Sequence, residues 1–365
     1  MNFQRDIVVI GASAGGVGAL KQLVSALPAG FPATIFIVQH TSPHSPGLMA
    51  GILESLCALP VTYPLDGERI QSSHVYVAPP DHHLVLEKGY IRVTRGPREN
   101  RFRPSVDVLF RSAAWAFGPR VIGVILTGYL DDGASGLYGI KERGGLAVVQ
   151  TPEDAEVPEM PQSALRRVQA DEIVPLKQIV HTLTYLVAES LVDSGGIAVS
   201  EDEVKKNELK RMEIEVGIAR EDQAIGKGIL TFGEPSLFAC PECHGVLLKI
   251  KEGASTRFRC HTGHAYSLDT LLAEISQGIE ESLWNSLRAI EETELLLDHM
   301  ATHLRESNDA DALNLVEQKV QESKRQQQLV RQALMKHRNP SGDGSERTTS
   351  ARLNQTNHTP LSEDL

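Results

Sequence analysis

The spacing of apolar and polar positions changes character along the chain. Through residue 193, short apolar runs alternate with segments of helical spacing. Asp6–Ile10, Thr34–Val38, His74–Ala78, Val121–Leu126 and Leu146–Val149 read as strands bounded by turn residues. Between them, Val17–Leu27, Pro46–Cys57, Ser105–Ala116, Gly136–Arg143 and Pro161–Arg167 read as helices. Leu84–Leu86 and Tyr90–Thr94, joined through Lys88-Gly89, read as a hairpin. Continuously apolar strands alternating with helices predict an α/β fold. It is a doubly wound, mainly parallel sheet with helices on both faces, Rossmann-like in type.

Asp193-Ser194-Gly195-Gly196 ends this pattern and closes a first domain, 1–193. Residues 200–222 are strongly charged and predict a solvated helix within a linker, 194–233. A short Cys/His module, 234–267, follows. Residues 268–337 lack proline. Leu272, Ile275, Ile279, Leu283, Leu287, Ile290, Leu297, Met300 and Leu304 are spaced mostly three, four or seven apart. Leu313, Val316, Val320, Val330 and Leu334 resume that spacing after Asn308-Asp309-Ala310-Asp311. Two long helices in a hairpin, 268–338, fit this pattern, with one irregular unpartnered helix as the alternative. Intermolecular pairing of their Leu/Ile stripe would make a homodimer. The Ser, Thr, Asn and Gly tail, 339–365, is expected to be disordered.

Lys plus Arg total 36 and Asp plus Glu 47, a net charge of −11 that argues against nucleic acid as a partner. No apolar run approaches the roughly 20 residues of a membrane span, so no direct membrane insertion is expected. The opening MNFQRDIVVIG has no basic n-region or cleavage site. Its strand-like run starts at once, and a cytoplasmic location is expected.

The four cysteines are at 57, 240, 243 and 260, and three of them share one window. That distribution suits metal ligation in a reducing compartment. Cys240 and Cys243 are separated by two residues, and Cys260-His261-Thr262-Gly263-His264 follows after a gap of 16. A Cys₃His set closes a tetrahedron, so the expectation is a structural zinc in a zinc-ribbon-like module. His264 is the expected fourth ligand because the chain can turn at Gly263, with His261 as the alternative. Three free thiols in a small reduced module are the competing reading.

Gly11-Ala12-Ser13-Ala14-Gly15-Gly16 lies between a strand and a helix and satisfies two patterns. As a dinucleotide loop it is degenerate, because Ser13 replaces the middle glycine and the second strand ends in Gln39-His40, not an acid. As G-x-S-x-G it presents a serine on a tight strand-to-helix turn. Ser13 and His40 then share the C-terminal edge of the sheet, where neutral imidazole can accept a serine proton. The helix starting near Gly16 adds N–H donors for an oxyanion. A carboxylate to orient the imidazole is offered by Leu126–Gly136, which contains Asp131 and Asp132. Taken singly, Ser13 also reads as a helix cap, His40 as a core histidine and Asp-Gly as a turn.

Seven segments resemble the catalytic domain of the chemotaxis protein-glutamate methylesterases, the CheB family. They are IGASAGG (10–16), VQH (38–40), DGERI (66–70), VYVAPPDHH (75–83), NRFRPSVDVLF (100–110), GVILTG (123–128) and DGASG (132–136). The resemblance covers residues 4–190. It implies a carboxylic ester hydrolase that cleaves glutamate methyl esters on a methyl-accepting receptor or other signalling protein, with deamidation of glutamines as a side activity. It implies Ser13 as nucleophile, His40 as base and Asp132 as orienting carboxylate, with no cofactor for catalysis. Backbone N–H groups near Ala14 and Tyr129 are the implied oxyanion donors, and Arg101 and Arg103 could hold an acidic substrate or serve as loop salt bridges. Three departures are visible: Ala14 where the family commonly has Thr, Tyr129-Leu130-Asp131 where it has Met-Gly-Asn, and an esterase strand at the start where classical members carry a receiver domain. RFRCHTGHAYS also resembles a C-terminal module of some CheB-like proteins, which favours His264 as ligand. The competing function class is a non-catalytic signalling adaptor built on an esterase fold.

Overall fold

The structure is a computed structural model that describes residues 3–191, 203–220, 228–231, 233–307 and 309–338. β1 (Phe3–Gln4) and β2 (Ile7–Ala12) lead into α1 (Gly16–Ser25), β3 (Thr34–Gln39), α2 (Met49–Glu54), β4 (Val61–Thr62) and β5 (Val75–Val77). The hairpin of β6 (His83–Glu87) and β7 (Tyr90–Thr94) precedes α3 (Val106–Phe117), β8 (Val121–Ile125) and α4 (Ala134–Glu142). Then come β9 (Leu146–Gln150), α5 (Glu159–Arg167), β10 (Glu172–Val174), α6 (Leu176–Ala188) and β11 (Ser190–Leu191).

Seven strands form one parallel sheet in the order β10-β9-β8-β2-β3-β5-β4. Every residue of β2, β3 and β8 is buried, as expected for strands covered on both faces. Side chains alternate between two cores. Val8, Ile10 and Ala12 join Leu20, Leu23, Phe31 and Leu183 on one face. Ile7 and Val9 join Leu109, Phe110, Leu137 and Met160 on the other. The doubly wound α/β expectation is met. The central strands and helices differ from the expected ranges only at their ends. β4, β10 and α6 were not expected, although Ile179, Val180, Leu183, Leu186 and Val187 give α6 a buried helical stripe.

After these come α7 (Glu203–Ala219), β12 (Glu234–Ala239), β13 (Val246–Glu252), β14 (Ser255–Cys260), β15 (Ala265–Ser267), α8 (Leu268–Glu306) and α9 (Ala310–Arg338). The charged stretch expected to be solvated is packed instead. Met212, Ile214, Val216 and Ile218 of α7 are buried, with Arg211 and Glu215 beside them. Their charges are matched by partners that are distant in sequence, which charge density along the chain does not show. β12 to β15 form a four-stranded antiparallel sheet in chain order.

Two compact units result, Met1–Glu274 and Ile275–Leu365. Within the second, α8 and α9 pair antiparallel. Arg305 meets Glu317 at 3.0 Å, Arg331 meets Glu291 at 2.6 Å, and His337 Nε2 bonds the Ser276 carbonyl at 2.9 Å. Leu287, Ala301, Val316, Val320 and Leu334 are buried there, while Leu295, Leu296, Met300 and Leu329 remain exposed. Among the described residues no helix is long and apolar enough to cross a membrane. The expected domain end at 193–196 and the expected disordered tail, 339–365, lie outside the described residues.

Candidate active site

β2, β3 and β8 are adjacent and parallel, so their C-terminal ends open onto one sheet edge, where open α/β folds build sites. Ala12 and Gln39 are paired in register. Ser13 and His40 each lie one residue beyond that pair and are therefore neighbours. The His40 N–H bonds the Ala12 carbonyl at 3.1 Å. Gln39 Nε2 reaches both the Ser13 carbonyl, at 2.8 Å, and the His40 carbonyl, at 3.0 Å. The Ser13 N–H bonds the Thr127 carbonyl at 3.0 Å, fastening the serine turn to the end of β8. Gly128 is required by this approach: a Cβ there would lie 2.7 Å from Ser13 Cβ and overlap the Met160 sulfur.

Asp132 follows β8 and precedes α4, with Gly133 in the left-handed region at φ 97°. The Asp132 carboxylate is buried and accepts five hydrogen bonds. Oδ2 receives His40 Nε2 and the Val106 N–H, each at 2.7 Å. Oδ1 receives Ser105 Oγ at 2.8 Å, Asn100 Nδ2 at 3.0 Å and the Asp107 N–H at 3.2 Å. Burial favours its neutral acid, but the bonds from His40, Asn100 and Val106 outweigh it and hold the group below its ordinary value. Asp132 is thus an anion with His40 fixed on one oxygen. The other ring nitrogen, His40 Nδ1, is buried and has no hydrogen-bond partner among the described residues. The face of the ring is covered by Phe102, stacked at 3.6 Å and 9°.

Asn100, Phe102, Ser105 and Asp107 belong to the site but were not singled out as site residues. Their signal lay in the segment NRFRPSVDVLF. Asp107 accepts from the Gly133 and Gly136 N–H groups, at 3.0 and 2.6 Å, and so ties α3 to the start of α4. Burial, with Asp132 nearby, pushes its carboxyl up to about 7. Burial likewise pushes His83 down to about 4. This neutral ring bonds the Pro97 carbonyl and accepts the Ser105 N–H, at 2.9 and 3.3 Å.

Of the expected oxyanion donors, Ala14 lies in the serine turn and Tyr129 in the adjoining loop, where Thr127 Oγ1 bonds the Ala14 carbonyl at 2.9 Å. The two arginines are engaged within the protein. Arg103 Nε and Nη2 meet Asp81 Oδ1 at 2.9 and 2.7 Å, and its Nη1 bonds the Arg95 and Gly96 carbonyls. Arg101 pairs with Glu274. Both contacts match the loop salt-bridge reading.

Cys240, Cys243, Cys260 and His264 converge, with their ligand atoms all within 4.8 Å of one another. Cys243 and Cys260 sulfurs are 3.6 Å apart, and His264 Nδ1 is 3.5 and 3.7 Å from Cys260 and Cys240 Sγ. A tetrahedral zinc with bonds of about 2.3 Å places its sulfurs about 3.8 Å apart, so the group has the right size. His264 belongs to the group and His261 does not.

This module is welded to the sheet domain. Ala265 pairs with Glu99 in a parallel bridge. Arg259, fully buried on β14, meets Glu99 at 2.7 Å and Glu215 at 3.0 Å. Arg111 of α3 meets the same two carboxylates at 3.0 and 3.3 Å. Burial raises the cost of ionising Glu99 and Glu215. Arg111, with Arg257 and Arg259, overcomes it and lowers both.

The family model for CheB methylesterase matches residues 8–183. A putative protein-glutamate methylesterase/protein-glutamine glutaminase of Leptospira interrogans is 44% identical over 192 residues, which is 52% of this chain and 98% of that protein. A protein-glutamate methylesterase/protein-glutamine glutaminase of Rhodospirillum rubrum is 40% identical over 178 residues, 48% of this chain and 49% of that protein. The crystal structure of the Thermotoga maritima CheB methylesterase catalytic domain shares 35% identity at a TM-score of 0.48, covering 50% of this chain and 98% of that one. Ser13, His40 and Asp132 fall inside the residues matched by the family model, and with 98% of the Leptospira protein covered at 44% identity the chain belongs to the CheB methylesterase family.

Proposed function

We propose that this protein is a protein-glutamate methylesterase working through Ser13, His40 and Asp132. The observation that carries the reading is His40, fixed through Nε2 on an ionised Asp132 while its buried Nδ1, beside the serine turn, has no partner among the described residues. With the proton on Nε2 directed at Asp132, Nδ1 keeps its lone pair and serves as the base. Ser13 Oγ attacks the ester carbonyl as His40 Nδ1 takes its proton, and the Ala14 and Tyr129 N–H groups receive the oxyanion. A good donor of this kind contributes about 3–4 kcal/mol. Collapse expels methoxide, protonated by His40, as methanol. Water activated by the same nitrogen then cleaves the acyl-enzyme to the glutamate carboxylate. A glutamine side chain follows the same path with ammonia leaving, which is the deamidase activity. The substrate is a methylated glutamate on a chemoreceptor or related signalling helix in the cytoplasm.

The same reading divides the chain into an esterase domain (1–193), linker (194–233), zinc module (234–267), hairpin (268–338) and tail (339–365). Cys240, Cys243, Cys260 and His264 would hold a zinc with no open position, which supplies structure and not chemistry. The exposed Leu295, Leu296 and Leu329 on the hairpin suit pairing with a second copy.

The test is labelling with a serine-directed fluorophosphonate, followed by mass mapping of the adduct. The adduct is expected on the Ser13 peptide and absent from His40→Ala. Labelling elsewhere, or unchanged in His40→Ala, contradicts the assignment.

A further inference from the structure

We propose that Asn100 is a positioning residue for Asp132, and that Ser267, at the end of the Cys/His module, and Thr270, in the first turn of α8, steady its orientation, so that this C-terminal segment completes the esterase site. This rests on the esterase reading above.

Asn100 is buried between the two parts of the first unit. Its backbone is left-handed, at φ 51°, a conformation asparagine tolerates better than most residues. All hydrogen-bonding capacity of its side chain is used, and it is divided by side. The Nδ2 group donates to Asp132 Oδ1 at 3.0 Å and to Asp107 Oδ2 at 2.8 Å, so one amide bridges two buried carboxylates. The Oδ1 atom accepts from the Ser267 N–H at 3.1 Å and from Thr270 Oγ1 at 3.3 Å. The Asn100 N–H bonds the Ala265 carbonyl at 2.8 Å.

Reversing the amide would aim its oxygen at two carboxylates and its NH₂ at two donors. The amide therefore has one orientation, held by the two carboxylates on one side and by Ser267 and Thr270 on the other. Two further contacts hold the same joint: Ser267 Oγ donates to Asp131 Oδ1 at 2.8 Å, and the Ala265 N–H bonds the Arg98 carbonyl at 3.2 Å. Thr270 is itself buried, and its hydroxyl, at 2.8 Å, shares the Ser267 N–H with Asn100 Oδ1. The relay is short. Thr270 and Ser267 fix Asn100, Asn100 fixes Asp132, and Asp132 fixes the His40 ring. Removing the first link leaves Oδ1 with one donor fewer, so the amide is held less firmly and its bond to Asp132 weakens, loosening the imidazole without touching bound substrate. Small misplacements of a catalytic group lower turnover steeply.

The test uses full-length protein with three variants: Asn100→Ala, Thr270→Val, which is nearly isosteric but lacks the hydroxyl, and Thr270→Ser, which keeps it. Two quantities are read. One is steady-state methanol release from a methylated receptor fragment, with kcat and KM separated. The other is the downfield proton resonance of His40 Nε2–H on Asp132. Asn100→Ala is expected to lower kcat about 100-fold and Thr270→Val about tenfold, with KM within twofold, because the loss is in positioning and not in binding. The resonance should shift or broaden in both, and Thr270→Ser should restore both readouts. Wild-type kcat and an unmoved resonance in Thr270→Val overturn the proposal. So does a Thr270→Ser variant as impaired as Thr270→Val. Should Asn100→Ala fail to fold, the Thr270 pair decides alone. If wild type releases no methanol yet the resonance moves in Thr270→Val and not in Thr270→Ser, the positioning stands and the esterase reading fails.

Discussion

Replacing Asp132 with asparagine probes the site through a change of one atom. Both carboxylate oxygens face only donors: His40 Nε2 and the Val106 N–H on Oδ2, and Asn100, Ser105 and the Asp107 N–H on Oδ1. An amide must place its NH₂ against one of these sets. On the Oδ1 side it confronts three donors, of which only the Ser105 hydroxyl can turn to accept. On the Oδ2 side it meets His40 and Val106, and the imidazole can accept only by giving up its Nε2 proton. The proton then moves to Nδ1, the nitrogen that must receive the proton of Ser13. The second arrangement disables the base outright; the first keeps an oxygen on His40 but removes the negative charge that stabilises the imidazolium. The wrong tautomer costs about ten-thousand-fold in the serine-hydrolase template, or about 5 kcal/mol of barrier. Burying mismatched donors should also lower stability by about 2–4 kcal/mol. Methanol release from a methylated receptor fragment reads the first quantity and urea unfolding the second. An Asp132→Asn variant that is folded and within tenfold of wild-type turnover would refute the role given to this carboxylate.

Three further outcomes are expected. Elemental analysis should find about one zinc per chain in wild type and none in Cys240→Ser, whose residues 234–267 should become protease-sensitive; a metal-free, protease-resistant wild type contradicts the zinc assignment. Burial pushes Asp131 up to about 7, above its ordinary carboxylate value. Between pH 4 and 7 the unfolded chain therefore releases a proton that the folded one retains, and stability falls as pH rises through this window. Asp131→Asn keeps an acceptor for Ser267 and should remove that slope, raising Tm at pH 8 with no gain at pH 4; equal gains at both values oppose this account. Light scattering should give a dimer for wild type and a monomer after Leu295→Glu with Leu296→Glu, whereas a monomeric wild type rules out the pairing.

The sheet was legible because its strands are apolar on both faces and its turns carry glycine. Ser13 and His40 were legible because consecutive parallel strands end on one edge, and Asp132 because it follows another such strand. The supporting groups were not. Asn100 acts from a loop without periodicity, and its partners Ser267 and Thr270 lie 167 and 170 residues away. Charge density misled for α7, because Glu215 and Arg211 are buried against charges from distant segments, Arg257, Arg259 and Glu252. The four residues of the Cys/His group were read from spacing, with a resemblance favouring His264, since two short turns bring each pair together. For Arg101 and Arg103 the sequence left substrate binding and a loop salt bridge both open, because Glu274 and Asp81, their partners, are not near them along the chain.

The central claim is that Ser13 is the nucleophile of an esterase acting on glutamate methyl esters. Its most direct measurement is methanol release from a methylated chemoreceptor cytoplasmic fragment by wild-type and Ser13→Ala protein, with the fold of each verified by circular dichroism. The account predicts catalytic release by wild type and a loss of several orders of magnitude in Ser13→Ala. Comparable release by the two proteins, or none by wild type, would contradict it.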